Sequence, residues 1–195
     1  MLDDKYMDFQ SIYKDYYPKI VRYLSRILDD KDLAEDFTQD VFIRVNEGLS
    51  KFEGRSKLST WIYKIATNLA NDYYKSSSYQ KGVKQTMTGE FIEDNKEDKN
   101  VWTGDKSELS DQILENREMN NCIKRYVQYI SENYRTVFVL SEYEGLKNKE
   151  IADILGLTLD TVKIRLYRAR TQLKKKMEEG CRISYEENGI SCDEI

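Results

Sequence analysis

Histidine is absent from all 195 residues of the chain. That excludes His-based catalytic triads, His-ligated metal sites and a histidine pH switch. One proline and nine glycines are too few for the many turns of a β-sandwich or barrel. The three cysteines, Cys122, Cys181 and Cys192, are an odd number at no zinc-ribbon spacing. No apolar run approaches the ~20 residues of a membrane span. The opening MLDDKYMDFQ has no basic stretch leading into an apolar one, as a secretory signal would. The expectation is a cytoplasmic protein with reduced thiols, no metal, no cofactor and no small-molecule substrate. An excess of positive charge is missing too. The 31 basic and 35 acidic residues leave a net charge of -4, which taken whole does not announce a nucleic-acid binder.

What is present is helical periodicity, in two blocks. Apolar residues recur at three- and four-residue steps over 6–28, with Pro18 expected to kink or break that helix. A second helix is predicted over 31–49, with Leu33, Phe37, Val41 and Val45 as its buried stripe and Gly48 and Gly54 marking its end. A third begins near Ser59 as N-cap, with Trp61, Ile62, Ile65, Leu69 and Tyr73 as its stripe. Residues 76–111 lose the periodicity and read as a flexible linker, with Phe91, Ile92 and Trp102 as candidate anchors. It resumes at Ile113, predicting a helix of about five turns to Ile130 and a short one ending at Gly145. Two more helices follow at 147–155 and 160–178. The fold class is all-α, two small helical domains on a tether. The tail 180–195 is acidic, and Asn188-Gly189 predicts a tight turn and a small hairpin. Cys181 and Cys192 in that tail are read as structural thiols, with a redox pair as the alternative.

The sharpest motif is KEIADILGLTLDTVKIRLYRARTQLKKK. Ala152, Gly156 and Val162 stand at relative positions 0, +4 and +10, the spacing of a helix-turn-helix. A small residue lets the second helix cross, and a glycine takes the positive φ of the turn. Thr158 is placed to cap the second helix. From Asp160 to Lys176 there are seven basic residues and one acid, and cations neutralising phosphates supply DNA affinity. Such a helix enters the major groove by its N-terminal end. Thr161, Lys163, Ile164 and Arg165 are the candidates for base edges, with Arg168 and Arg170 a turn later toward phosphates.

With DLAEDFTQDVFIRV (32–45) and KFEGRSKLSTWIYKIATNLANDYYK (51–75) upstream, the chain resembles bacterial RNA polymerase sigma factors, in particular the compact extracytoplasmic-function group. The resemblance covers about residues 6–80 and 112–178. It implies region two over 1–80, a linker over 81–111, region four over 112–179 and an acidic tail over 180–195. It implies docking of the second helix on the polymerase clamp coiled coil. Asp36, Gln39 and Asp40, on one face of that helix, are the candidates. It also implies capture of the -10 promoter element as a single strand. The matching positions are Arg55, Ser56 and Lys57 in the loop, and Asn68, Asn71, Asp72 and Lys75 on one face of the third helix. Amides and a short carboxylate can read the edge of an unstacked base, and cations can hold its phosphates. Tyr63, Tyr73 and Tyr74 are candidates for stacking, whereas Trp61 falls on the apolar stripe. The helix-turn-helix would read the -35 element as duplex, and region four would bind the polymerase flap. No catalytic residue is implied; an anti-sigma factor, often membrane-anchored in the group, is a further candidate partner. A free-standing helix-turn-helix regulator would instead bind duplex without polymerase. A docking adaptor would not need Lys163 or Arg165.

Split by segment, the charge becomes informative. Residues 1–80 carry -1, 81–111 carry -3, 112–179 carry +3 and 180–195 carry -3. An acidic linker and tail mask a basic reading head.

Overall fold

A computed structural model describes residues 8–76, 123–186 and 189–194. The expected linker and its anchors Phe91, Ile92 and Trp102 lie outside the described residues, as do the helix start at Ile113 and Cys122. Three long helices come first: α1 (Phe9–Leu28), α2 (Lys31–Leu49) and α3 (Leu58–Lys75). After a helical segment at 123–127 come α4 (Glu132–Phe138), a π-helical turn (Val139–Tyr143), α5 (Asn148–Leu155) and α6 (Leu159–Gly180). The described chain ends in one antiparallel hairpin, β1 (Cys181–Glu186) and β2 (Gly189–Glu194).

Of the two outcomes expected at Pro18, a break does not occur; α1 runs through it. Pro18 and Lys14, whose carbonyl the proline cannot serve as donor, are both on the exposed side of the helix. Burial of Ile12, Ile20, Tyr23, Leu24 and Ile27 on the other side offsets the ~3 kcal/mol of an internal proline. A two-residue turn joins α1 to α2. Asp29 takes a left-handed conformation (φ 56°), and the Asp30 carboxylate accepts the Leu33 N–H at 3.0 Å as N-cap.

The buried face of α2 is rotated from the expected stripe. Ala34, Thr38, Val41, Phe42 and Val45 are buried, while Leu33 and Phe37 are only half-buried. α2 packs on both α1 and α3. Thr38 satisfies its hydroxyl on the Ala34 carbonyl at 2.6 Å, so it is buried without an unpaired polar group. Gly48 does not end α2 but sits inside its last turn. A Cβ there would lie 2.9 Å from Trp61 Cζ2, so the glycine gives the indole room. Gly54 does mark the following loop, at φ 67°. Lys57, not Ser59, is the N-cap of α3.

α3 is buried on more than one side: Leu58, Thr60, Ile62, Tyr63, Ala66, Thr67, Leu69, Ala70 and Tyr74 are all covered. The reason is a contact between sequence-distant halves. α5 packs on α3, and the π-helical turn packs on α1. At the centre, the Thr67 hydroxyl donates to the Tyr63 carbonyl at 2.7 Å, leaving its oxygen to accept from Tyr23 at 2.7 Å. The Tyr23 and Tyr63 rings meet edge to face at 5.1 Å. Burial raises both phenols well above the usual tyrosine pKa.

The helix predicted over 113–130 ends earlier. Within the described residues it stops near Val127, and a turn carries the chain to buried Ile130. The tail hairpin forms as expected, with Gly189 opposite Glu186 at the start of β2. Cys181 stands opposite Glu194 and Cys192 opposite Ile183, so the two cysteines are not partners in register.

Candidate nucleic-acid and polymerase interface

The helix-turn-helix takes the geometry its spacing predicts. Gly156 closes α5 in the left-handed region (φ 64°), its N–H bonding the Ala152 carbonyl. Ala152 and Val162 are buried where α5 and α6 cross, and Leu155 and Leu157 flank them half-buried. Thr158 caps α6: its Oγ1 accepts the Thr161 N–H at 3.2 Å and lies 2.7 Å from Thr161 Oγ1. That bond points Thr161 back at the cap. Beyond it, Lys163, Ile164 and Arg168 are exposed and Arg165 half-buried. Ile164 is 49% exposed and Tyr167, which sequence reasoning passed over, 52%. Arg165 makes no hydrogen bond or ion pair among the described residues, while Lys163 has a loose contact with Asp160 at 3.4 Å. Arg168 donates to the Tyr134 hydroxyl at 3.2 Å. Arg170 is engaged by Glu142 at 2.7 Å, so it braces α6 on the π-helical turn rather than standing free for a phosphate.

On α2, Asp36, Gln39 and Asp40 are exposed, as is Arg44. Ile43 is exposed by 56% beside them. The only signal for it in the sequence is an apolar residue off the buried stripe. An apolar side chain one turn from Asp40 and on the same face as Asp36 suits a partner that pairs basic groups with an apolar spot.

The loop after α2 forms an open depression of about 440 Å³, lined by Lys51, Phe52, Arg55, Ser56 and Trp61 among others. Phe52 and Trp61 stack with centroids 5.0 Å apart, and Trp61 is half-exposed. An aromatic wall with cations at the rim can hold an unstacked base and its phosphates. Arg55 is exposed and paired with Glu53. The Ser56 hydroxyl donates to the Lys57 carbonyl at 3.3 Å. Lys57 does not line the depression; its ammonium meets Glu150 of α5 at 2.7 Å. On α3, Asn68, Asp72 and Lys75 are exposed and Asn71 half-buried, on one face as their spacing requires.

Two of the three stacking candidates are spent elsewhere. Tyr63 is buried and donates its hydroxyl to Glu144 at 2.6 Å, and Tyr74 is buried and donates to the Ile27 carbonyl at 2.6 Å. Tyr73 is half-buried and packs edge to face on Phe37 at 5.6 Å. No helix among the described residues is long and apolar enough to cross a membrane.

This geometry defines a helix-turn-helix DNA-binding protein with a second helical unit in front of the reading head. The family model described as Sigma-70 region 2 matches residues 12–79, and that described as Sigma-70, region 4 matches residues 120–173. The chain is 31% identical over 184 residues to the ECF RNA polymerase sigma factor SigW of Bacillus subtilis, covering 90% of each. It is 32% identical over 169 residues to RNA polymerase sigma factor YlaC of the same organism, covering 86% of this chain and 91% of the relative. In fold it is similar to the sigma factor RpoE of Bartonella quintana, solved in complex with the anti-sigma factor NepR. The TM-score is 0.59 at 24% identity, covering 88% of this chain and 97% of that one. The chain belongs to the sigma-70 family, in its extracytoplasmic-function group. It is an alternative sigma factor, a transcription initiation factor and not an enzyme.

Proposed function

We propose that the two halves divide promoter recognition between them. Residues 1–80 dock on core RNA polymerase and capture the -10 element, and 112–179 read the -35 element and meet the flap. Residues 81–111 tether them and 180–195 form an acidic tail. Asp36, Gln39 and Asp40, with Ile43 one turn further along the same face, engage the clamp coiled coil. Arg55, Ser56 and Lys57 hold the open strand, and the face Asn68, Asn71, Asp72 and Lys75 reads its bases. Lys163, Ile164 and Arg165 read the -35 duplex, with Thr161 and Arg168 positioned on the backbone at either side.

The observation that carries this reading is exposed Ile164 beside Arg165, which makes no hydrogen bond or ion pair among the described residues, on a helix whose first turn is capped by Thr158. A rigid, capped helix presents base-reading groups without ordering them first. Melting then draws on binding energy for the open strand, with no covalent chemistry. The site of action is the bacterial cytoplasm. A relative of the same fold is held by an anti-sigma factor, and a membrane-anchored protein of that kind would tether this chain until released. Run-off transcription with purified core polymerase and a promoter library tests the proposal. Specific initiation supports it, and no initiation on any template overturns it.

A further inference from the structure

The tail 180–195 lies beyond the residues matched by either family model, 12–79 and 120–173, and no surface assigned above uses it. It begins at Gly180, the last residue of α6, where a Cβ would overlap the Tyr126 hydroxyl. The chain therefore passes close to Tyr126 as it enters β1. Across the hairpin, Cys181 pairs with Glu194 and Ile183 with Cys192. Residues directly opposite share a face, and so do residues two apart along a strand. The register thus puts Cys181, Cys192 and Glu194 at adjacent positions on one face, at the open end of the hairpin. In sequence the cysteines stand eleven positions apart, which fits no metal-binding spacing. The hairpin folds that separation out.

Spacing decides what the two cysteines can do. Diagonal positions across an antiparallel pair are ~7–8 Å apart, directly opposite ones ~4.5–5.5 Å. A disulfide needs Cα atoms within ~7 Å and sulfurs ~2 Å apart, so the diagonal pair stands at or past its limit. A metal ion between the sulfurs lets them stand ~4 Å apart, since each zinc–thiolate bond is ~2.3 Å. Glu194, opposite Cys181, offers an oxygen ligand at the shorter spacing. Two thiolates, a carboxylate and a water complete the four-coordinate set that zinc accepts. Stability points the same way. A two-stranded hairpin is marginal in water by itself, and this tail carries a net charge of -3. A divalent cation offsets that charge and staples the strands at the end the tight turn does not close. Elsewhere among the described residues no three potential metal ligands gather.

We propose that Cys181, Cys192 and Glu194 bind a thiophilic divalent ion of the zinc class, which staples the tail beyond α6. Each cysteine S–H gives its proton to solvent as its sulfur–metal bond forms, so binding releases two protons and moves no electrons. The site uses none of the residues assigned to polymerase or promoter, and it stands whether or not those assignments do.

The test uses the full chain, reduced and stripped of metal with a chelator, and takes Cd(II) as the spectroscopic stand-in for Zn(II). One equivalent of Cd(II) should raise a thiolate-to-metal charge-transfer band in the ultraviolet and release two protons per chain. Zn(II) should protect two of the three thiols from a maleimide reagent. Cys181→Ser and Cys192→Ser should each abolish the band, and Cys122→Ser should keep it. Glu194→Gln should keep the band but weaken the affinity by about tenfold or more, since even an outer-shell partner is worth that much. Circular dichroism at unchanged helicity shows that each variant is folded. No band at one equivalent, or a band that survives loss of either tail cysteine, overturns the site. An unchanged affinity in Glu194→Gln overturns the three-ligand set. A Cys181–Cys192 disulfide found by mass spectrometry after air exposure, with no metal taken up by the reduced chain, makes the pair a redox couple and overturns the metal assignment.

Discussion

The proposed duplex-reading helix α6 and the proposed strand-reading surface around α3 differ in how far their own chain occupies them. On α6, Lys163 and Ile164 are exposed and Arg165 half-buried, and the neighbouring contacts with Tyr134 and Glu142 fall later in the helix. Around α3 the depression beside Trp61 and the face from Asn68 to Lys75 are open, but Lys57 is taken by Glu150 and Tyr63 by Glu144. On the proposed assignment, duplex would be read by a capped helix and a single strand by a cationic surface that would attract any anion; an internal carboxylate, Glu150, already meets part of that surface. The first surface can be assayed on the chain as it stands; the second depends on what the other half is doing.

The largest way to break this comparison is to unfold one side. Tyr23 is fully buried and bonds Thr67 at the centre of the N-terminal helices. Tyr23→Ala should cost about 3–5 kcal/mol of stability in urea unfolding, abolishing strand binding. If the reading surfaces are separable, affinity for a -35 duplex survives in that variant. Its equal loss would show that the halves fold as one unit.

A smaller effect sharpens the division of labour. Arg165→Ala should weaken duplex -35 binding by about 1–3 kcal/mol while leaving strand binding unchanged. Asn68→Ala should do the reverse: duplex binding is spared, and open-complex formation, followed by permanganate reactivity, is impaired. If both variants fail equally on a pre-melted template, the assignment of the two surfaces is wrong.

Next comes the depression itself. Gly48→Ala places a methyl 2.9 Å from the Trp61 ring, and the half-exposed indole must shift. The cost in stability should be ~1 kcal/mol, at the low end for overpacking because the ring can move outward. Strand affinity should fall with it, because Trp61 and Phe52 form the stacked wall. A strand affinity unchanged alongside a displaced indole emission would remove the depression from the DNA site.

Local chemistry explains which of these features were legible. Ala152, Gly156 and Val162 act within one helix pair, so their spacing announced the turn, the crossing and the Thr158 cap. The span of α2 was equally plain from its periodicity. Which face of α2 and α3 is buried was not, because each answers to partners far off in sequence. Gly48 read as a helix end because its reason, the Trp61 ring, is on another helix. Tyr63 and Tyr74 read as base-stacking candidates because their acceptors, Glu144 and the Ile27 carbonyl, are 81 and 47 residues away. Arg170 and Lys57 read as DNA contacts for the same reason: a basic residue advertises its charge, and nothing nearby reveals the acid that meets it.

The smallest effect concerns that last pair. Lys57 and the Lys147 N–H both stabilise ionised Glu150 and hold its pKa below the usual carboxylate value. An ionised Glu150 with a depressed pKa stabilises the packing of α5 on α3 and its preceding loop at pH values above its ordinary pKa of ~4.5. That contribution is lost as pH falls through the depressed value. Lys57 remains largely exposed, 70% by side chain, so screening by solvent and salt limits the pair to under about 1 kcal/mol. Glu150→Gln should therefore lower stability at pH 7 by under about 1 kcal/mol in urea unfolding. Between pH 7 and pH 4 at low ionic strength its stability should also fall less steeply than that of the unsubstituted chain. Equal pH responses in the two chains would place the acid sensitivity elsewhere.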